Sequence, residues 1–392
     1  MTMKLHKMVD LNLTDKRVLI REDLNVPLQD GKIMSEARIL AALPTIQHAL
    51  QSNAKVMITS HLGRPTEGVY DAVLSLTPVA QRLSELLEQP VPLIKDWLNG
   101  FEIESGKAVL FENARFNVGE KNNDDELSKK IAALCDIYVN DAFATAHRKE
   151  ATTYGVAKYA KKSCAGPLLI QEIEALEKIM ENPKRPLVAI IGGSKISTKL
   201  KLLGSLIKKV DTLIPGGGIA NTFLAASDYN IGRSLFEPDF IKEAKTILST
   251  AKKLGIKIPL PQDVIVSTAC IERAKSFKKL ISELSDDEMI LDIGPNAAEQ
   301  YAKIIQQAKT ILWNGPVGVF EFAQFTEGTK TIAQAIAKSS AYSVAGGGDT
   351  IAALERYALI DKMSYISTGG GAFLAYLEGE KLPAIAALEE AY

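Results

Sequence analysis

A chain of 392 residues, 46% hydrophobic and 24% charged, has the length for two or three cores and excludes a disordered or fibrous protein. Its 46 Lys and Arg against 47 Asp and Glu leave a net charge of −1, which excludes a global field for nucleic acid or an anionic membrane, so any charged ligand must be met locally. Cys135, Cys164 and Cys270, odd in number and without a CxxC pair, fit neither a disulfide framework nor a zinc site and point to a reducing cytoplasm.

Met1 to Asp15 contains no apolar stretch of signal-peptide or membrane-span length, so neither export nor membrane insertion is expected. Arg17 to Ile20 then reads as a buried strand, followed by Arg21-Glu22-Asp23-Leu24-Asn25-Val26-Pro27, where Pro27 stops it. Asp23 and Asn25 suit an Asx turn as well as a ligand contact. Ile39, Leu40, Leu43, Ile46 and Leu50 have helical period, with Arg38 at the helix start as either a solvated charge or an anion donor. Three further strand-like runs end in the same way. Lys55 to Ile58 leads to His61-Leu62-Gly63-Arg64-Pro65, Val109 to Phe111 leads to Arg115, and Ile137 to Val139 leads to His147-Arg148. Residues 1–170 hold 7 of the 11 arginines but only 8 of the 27 glycines. Several guanidinium forks at strand ends would repel one another without an anion, so a small phosphate or carboxylate is the expected ligand, with His61 and His147 as further donors.

Leu169 to Met180 is helical in pattern and is closed by Asn182-Pro183-Lys184-Arg185-Pro186, which places a linking helix across residues 171–186, between domains of 1–170 and 187–379. Beyond it strands end in glycine: Leu187 to Ile191 before Gly192, Thr212 to Ile214 before Gly216 to Gly218, and Ile311 to Trp313 before Gly315. Tyr342 to Ala345 precedes Gly346-Gly347-Gly348-Asp349-Thr350, and Tyr365 to Ser367 precedes Gly369-Gly370-Gly371. Such turns expose backbone N–H groups to phosphate, and three of them suggest a polyphosphate. Lys195 and Lys199, four apart, are expected on one face of a helix start, where only an anion offsets their repulsion by the dipole. Asp349 and Thr350 fit Mg²⁺ binding and a hydroxyl contact, or equally an N-cap. No loop matches the Walker or standard dinucleotide fingerprint. Strand and helix alternating throughout predict an α/β protein of two doubly wound parallel-sheet domains, with ligands beyond the carboxyl ends of the strands and a cleft between the domains.

Taken together, Arg21-x-Asp23-x-Asn25-Val26-Pro27, His61-Leu62-Gly63-Arg64-Pro65, Asn113-Ala114-Arg115-Phe116, Asn140-Asp141-Ala142-Phe143 with Ala146-His147-Arg148, Gly192-Gly193-Ser194-Lys195, Trp313 to Gly318 with Glu321, Gly346 to Thr350 and Thr368 to Gly371 closely resemble phosphoglycerate kinases of the bacterial type, in order and over the whole chain. The resemblance implies that Arg21, Asp23, Asn25, Arg38, His61, Leu62, Gly63, Arg64, Arg115 and Arg148 hold the phosphoglycerate. It assigns the nucleotide to Gly193, Lys199, Asn314, Pro316, Glu321, Gly347, Gly348, Asp349 and Thr350, with Glu321 toward the ribose and Asp349 toward Mg²⁺. Catalysis would rest on Arg38, Lys195, Gly370 and Gly371. The implied protein is a cytoplasmic monomer that transfers a phosphoryl group between 1,3-bisphosphoglycerate and MgADP directly, after domain closure, giving 3-phosphoglycerate and MgATP. A helix at 380–392 would pack back on the first domain. The family usually has glycine where Ala144 stands, and small residues and histidine at Lys149 and Glu150; a positive φ at 144 would strain alanine. An NAD-dependent oxidoreductase lacks its fingerprint here, and a two-lobed solute-binding protein has no use for Lys195 and Lys199.

Overall fold

The computed structural model describes residues 4–392. The chain divides into two compact units, one of Met1–Glu174 with Lys381–Tyr392 and the other of Ala175–Glu380.

The strands of the first unit are β1 (Arg17–Arg21), β2 (Leu28–Gln29), β3 (Lys32–Ile33), β4 (Lys55–Thr59), β5 (Leu93–Ile94), β6 (Ala108–Phe111), β7 (Ile137–Asn140) and β8 (Ser163–Ala165). β2 and β3 make a separate antiparallel pair, and the other six form a parallel sheet in the order β5-β6-β4-β1-β7-β8. The chain thus leaves β1 toward β4 on one side and β7 on the other, which opens a crevice beyond their carboxyl ends. Val18, Leu19 and Ile20 are fully buried, as expected of a central strand covered on both faces. The helices here are α1 (Ala37–Gln51), α2 (Thr77–Leu86), α3 (Asp125–Ala132), α4 (Val156–Tyr159) and the start of α5 (Pro167–Met180). α1 keeps Ile39, Ala42, Ile46 and Ala49 inside and leaves Leu40 exposed, the stripe that a 3.6-residue period dictates. The division between the units falls within α5.

The second unit contains α6 (Leu200–Leu206), α7 (Gly217–Ala226), α8 (Ile241–Leu254), α9 (Pro295–Gln307), α10 (Glu327–Lys338), α11 (Gly348–Arg356) and α12 (Gly371–Leu377). Its parallel sheet runs β10-β9-β14-β15-β16, built from β9 (Leu187–Ile191), β10 (Thr212–Pro215), β14 (Thr310–Asn314), β15 (Tyr342–Gly346) and β16 (Tyr365–Ser367). Here the strand order reverses between β9 and β14. A small antiparallel sheet of β11 (Asp263–Ser267), β12 (Phe277–Leu280) and β13 (Met289–Ile293) completes it. α13 (Pro383–Glu390) belongs to the first unit: it buries Ala384, Ile385, Ala387 and Leu388, and the Ala384 N–H donates to the Ala146 carbonyl at 3.1 Å.

All nine strand runs read from the sequence are present, each within one residue at either end. The expectation for Lys195 and Lys199 fails. Lys195 lies in a loop, a 3₁₀ turn spans Ser197–Lys199, and α6 starts only at Leu200, so the two lysines share no helical face. Glu237 holds the turn, accepting from the Ser197 N–H at 2.7 Å and the Ser197 hydroxyl at 2.6 Å. Ala144 sits inside the 3₁₀ turn Phe143–Thr145 without a positive φ, so alanine is unstrained there.

Candidate active site

At the crevice of the first unit, Arg21 ends β1 fully buried. Its Nε donates to the Thr152 hydroxyl at 3.0 Å, Nη1 donates to the Glu22 carbonyl, and Nη2 lies 3.1 Å from His61 Nδ1. A guanidinium only donates, so Nδ1 accepts. Burial first, and then the charges of Arg21, Arg115, Arg148 and Arg38, hold the His61 pKa well below its usual value, so the ring is neutral with its proton on Nε2. The loop carrying His61, Leu62 and Gly63 is held by two asparagines. Asn25 Oδ1 accepts from the Gly63 N–H at 2.9 Å, while Asn113 accepts from the Leu62 N–H and donates back to its carbonyl. Gly63 needs its φ of +61°, and a Cβ there would meet Leu74 at 2.6 Å.

The remaining arginines stand around this loop. Arg38 is tied through Nη1 to both Asp23 oxygens, at 3.1 and 2.9 Å, and to the Asn25 carbonyl. Arg115 is buried and donates to the Gly63 carbonyl and to Glu150 Oε1, both at 2.7 Å. Arg148 is half-buried, and Arg64 is exposed.

In the second unit, β9 and β14 bring two glycine turns together. The Gly192 N–H donates to the Asn314 carbonyl, and Asn314 Nδ2 donates to the Gly346 carbonyl at 2.7 Å, so one buried asparagine ties β14 to the end of β15. Lys199 donates to Asn314 Oδ1, and burial pushes its pKa down to about 8. Gly193 and Gly347 adopt φ of +150° and +98°, so side chains are disfavoured where the backbone turns. Gly347 is the N-cap of α11, which puts Asp349 and Thr350 inside its first turn; neither is itself the cap. Asp349 is exposed at that helix start, whereas the buried Thr350 hydroxyl is engaged, accepting from the Gly315 N–H at 2.7 Å and donating to the Gly346 carbonyl at 2.9 Å. A cavity of about 430 Å³ is lined by Gly193, Pro316, Glu321 and Asp349 together with Gly217, Leu235 and Leu291. Gly370 is the N-cap of α12 with φ +50°, and Gly371 is its first residue.

The sequence model of the phosphoglycerate kinase family matches residues 8–380. The chain belongs to the phosphoglycerate kinase family. A phosphoglycerate kinase structure from Coxiella burnetii is similar over 99% of both chains, with 56% identity and a TM-score of 0.97; one from Pyrococcus horikoshii OT3 covers the same shares at 35% identity and a TM-score of 0.82. The activity is therefore the glycolytic phosphoglycerate kinase reaction, with ATP or ADP as the nucleotide substrate.

Set against a phosphoglycerate kinase of two ligand-binding halves, the structure gathers His61, Arg21, Arg38, Arg115 and Arg148 in one unit, and Gly193, Lys199, Asn314, Glu321 and Asp349 in the other. Sequence reasoning missed the buried acids behind the arginines. Glu120 accepts from the Thr152 hydroxyl and N–H, and burial raises its pKa to about 7. Asp141, raised by burial to about 6, accepts from Thr45 and from the Leu169 N–H at the start of α5, and it faces Glu22. No local pattern separates such glutamates from surface ones. Leu235 and Leu291, the apolar wall of the cavity, come from loop and strand positions outside every glycine motif. Among the described residues no group of three His, Cys, Asp or Glu could hold a metal ion. The single exposed carboxylate of Asp349 suits Mg²⁺, which keeps several waters and takes most of its ligands from phosphates.

Proposed function

We propose that the arginine cluster binds 3-phosphoglycerate and 1,3-bisphosphoglycerate and that the glycine turns bind ADP and ATP as magnesium complexes. The observation that carries this reading is His61, neutral under the combined charge of four arginines. A set of cations so concentrated is stabilised by an anion of two or more charges. Arg38, Arg64, Arg115 and Arg148 then neutralise phosphate and carboxylate, and His61 donates from Nε2. Asp23 and Asn25 orient Arg38 and the Leu62–Gly63 main chain, while Arg21, buried behind the ring, fixes the His61 tautomer.

On the nucleotide side Lys199 and the N–H groups of Gly193, Gly347 and Gly348 meet the phosphates, Glu321 faces the ribose, and Pro316 forms part of the wall. Asn314 and Thr350 hold the turns in place. Asp349 would hold Mg²⁺, which draws charge from the phosphate oxygens. No protein nucleophile is needed. A terminal phosphate oxygen of ADP attacks the acyl phosphorus, and the carboxylate leaves with the bonding pair. Arg38, Lys195 and the N–H groups at Gly370 and Gly371 spread the charge of the three equatorial oxygens.

Arg38 and Lys195 belong to different units, so both reach one phosphoryl group only when ligands draw the units together about the linking helix, which also keeps water from the acyl phosphate. We read the enzyme as a cytoplasmic monomer; the three free cysteines support the compartment, and sedimentation tests the state. In a coupled assay with MgATP and 3-phosphoglycerate, Arg38→Ala is expected to lose about 10² to 10³ in kcat while unfolding at the wild-type temperature. A wild-type kcat in that variant refutes its role. The radius of gyration from solution scattering should fall when both substrates are present, and an unchanged value counts against closure.

A further inference from the structure

The arginine cluster contains an acid that the reaction does not call for. Glu150 follows Arg148 by two residues and is buried, with a side chain 8% exposed. Its Oε1 accepts from Arg115 Nη2 at 2.7 Å and lies 3.8 Å from Arg148 Nη1, so a single carboxylate oxygen serves two arginines of the cluster. The pairing is incomplete on both sides. Glu150 Oε2 and Arg115 Nε are each buried without a hydrogen-bond partner. A buried pair with spare donor and acceptor capacity is what remains when a third party completes the site. Glu120 lies close enough to Glu150 for the two charges to repel, so the acid sits between two arginines on one side and a second buried acid on the other.

We propose that Glu150 is a resident counter-ion of the phosphoglycerate site: it holds the charge of Arg115 and Arg148 while the site is empty and thereby weakens the grip on phosphorylated anions. The inference rests on the reading of this cluster as the phosphoglycerate site. When the site is empty, the carboxylate relieves the repulsion among the arginines. When a phosphorylated acid arrives, the same negative charge opposes it inside a poorly solvated pocket, where charges act more strongly than in water. The substrate therefore competes with Glu150 for Arg115, and release is eased for the same reason. The consequence is an affinity set below what four arginines alone would provide.

Glu150→Gln separates charge from hydrogen bonding, because the amide oxygen still accepts from Arg115. The expected result is a KM for 3-phosphoglycerate about three- to tenfold lower, with the KM for MgATP unchanged. Inorganic phosphate should bind this variant more tightly in calorimetry and raise its unfolding temperature more than it raises that of wild type. Glu150→Ala, which deletes charge and hydrogen bond together, should also bind inorganic phosphate more tightly than wild type. If the glutamate only tethers Arg115, Glu150→Gln keeps the wild-type KM and Glu150→Ala raises it; either result overturns the proposal. Arg64→Ala is the companion variant. A raised KM there with no tightening in Glu150→Gln removes the counter-ion role alone, whereas an unchanged KM removes the assignment of the site.

Discussion

Replacing Gly192 by alanine probes how the nucleotide turns are built. Gly192 follows β9 and donates its N–H to the Asn314 carbonyl at the end of β14, at 2.9 Å. A Cβ there would lie 1.8 Å from the Pro316 carbonyl oxygen and 2.7 Å from Gly315 C and O, all of them backbone, although such contacts do not fall below 3.0 Å. The ends of two adjacent central strands must then separate by more than an ångström. That strains the core by about 1 to 3 kcal/mol and weakens a hydrogen bond contributing about 1 kcal/mol, so the expected loss is roughly 2 to 4 kcal/mol. Because Asn314 positions Lys199 and Gly346, the KM for ADP should rise with it. The chain has two tryptophans, Trp97 in the first unit and Trp313 in the second, so fluorescence in a Trp97→Phe background reports the second unit alone. At a slope of about 2 kcal/mol per molar urea the midpoint should fall by roughly 1 to 2 M. Gly204→Ala is the control: it lies within α6 with open space around its would-be Cβ and should gain about 0.5 to 1 kcal/mol. An unchanged midpoint and KM in Gly192→Ala would show that the strand ends part at no cost and refute the reasoning.

With Lys199 titrating near 8, kcat/KM for ADP should decline above that pH by up to about tenfold per unit, while kcat holds to higher pH because bound phosphates favour the cation; Lys199→Met should abolish the inflection, and its persistence would assign it elsewhere. Asp349→Ala should weaken binding of ADP in the presence of magnesium and leave metal-free ADP binding as it was, a difference read by calorimetry. Asp292 is buried and its pKa is raised to about 8 from 3.8, so the fold favours its protonated form: that stabilisation is complete below about pH 4 and is lost as pH rises through 8. Urea midpoints of the Trp313 transition should fall over that window, and Asp292→Asn should flatten the profile.

Much of this architecture is written in local patterns. A run such as Val18-Leu19-Ile20 is buried on both faces only as a central parallel strand, and the residue after it must then stand at the carboxyl edge, which is how Arg21, His61 and Gly192 could be placed before any coordinates. The antiparallel sheet escaped because β12, Phe-Lys-Lys-Leu, is largely exposed and lacks an alternating pattern. Lys195 and Lys199 look helical by spacing, but the loop owes its shape to Gly193 and to Glu237, forty residues from Ser197 in the chain. Thr350 carries the right hydroxyl at the right turn, yet it serves Gly315, a partner supplied by a neighbouring strand. The acids behind the arginines are long-range in the same sense: Glu120 meets Thr152 and Glu150 meets Arg115 across 32 and 35 residues.

The return of α13 to the first unit has a consequence for how the protein is made. Residues 381–392 emerge from the ribosome only after the roughly 200 residues of the second unit, some 10 to 40 s of synthesis at about 5 to 20 residues per second. Throughout that interval the seat later filled by Ile385 and Leu388 stands open, and the carbonyl of Ala146, two residues before Arg148, waits for its donor from Ala384. The half that begins first is therefore finished second. A nascent chain interrupted anywhere in the second unit carries a first unit without its closing helix, so readiness to hold phosphoglycerate marks a chain whose nucleotide half has already been made.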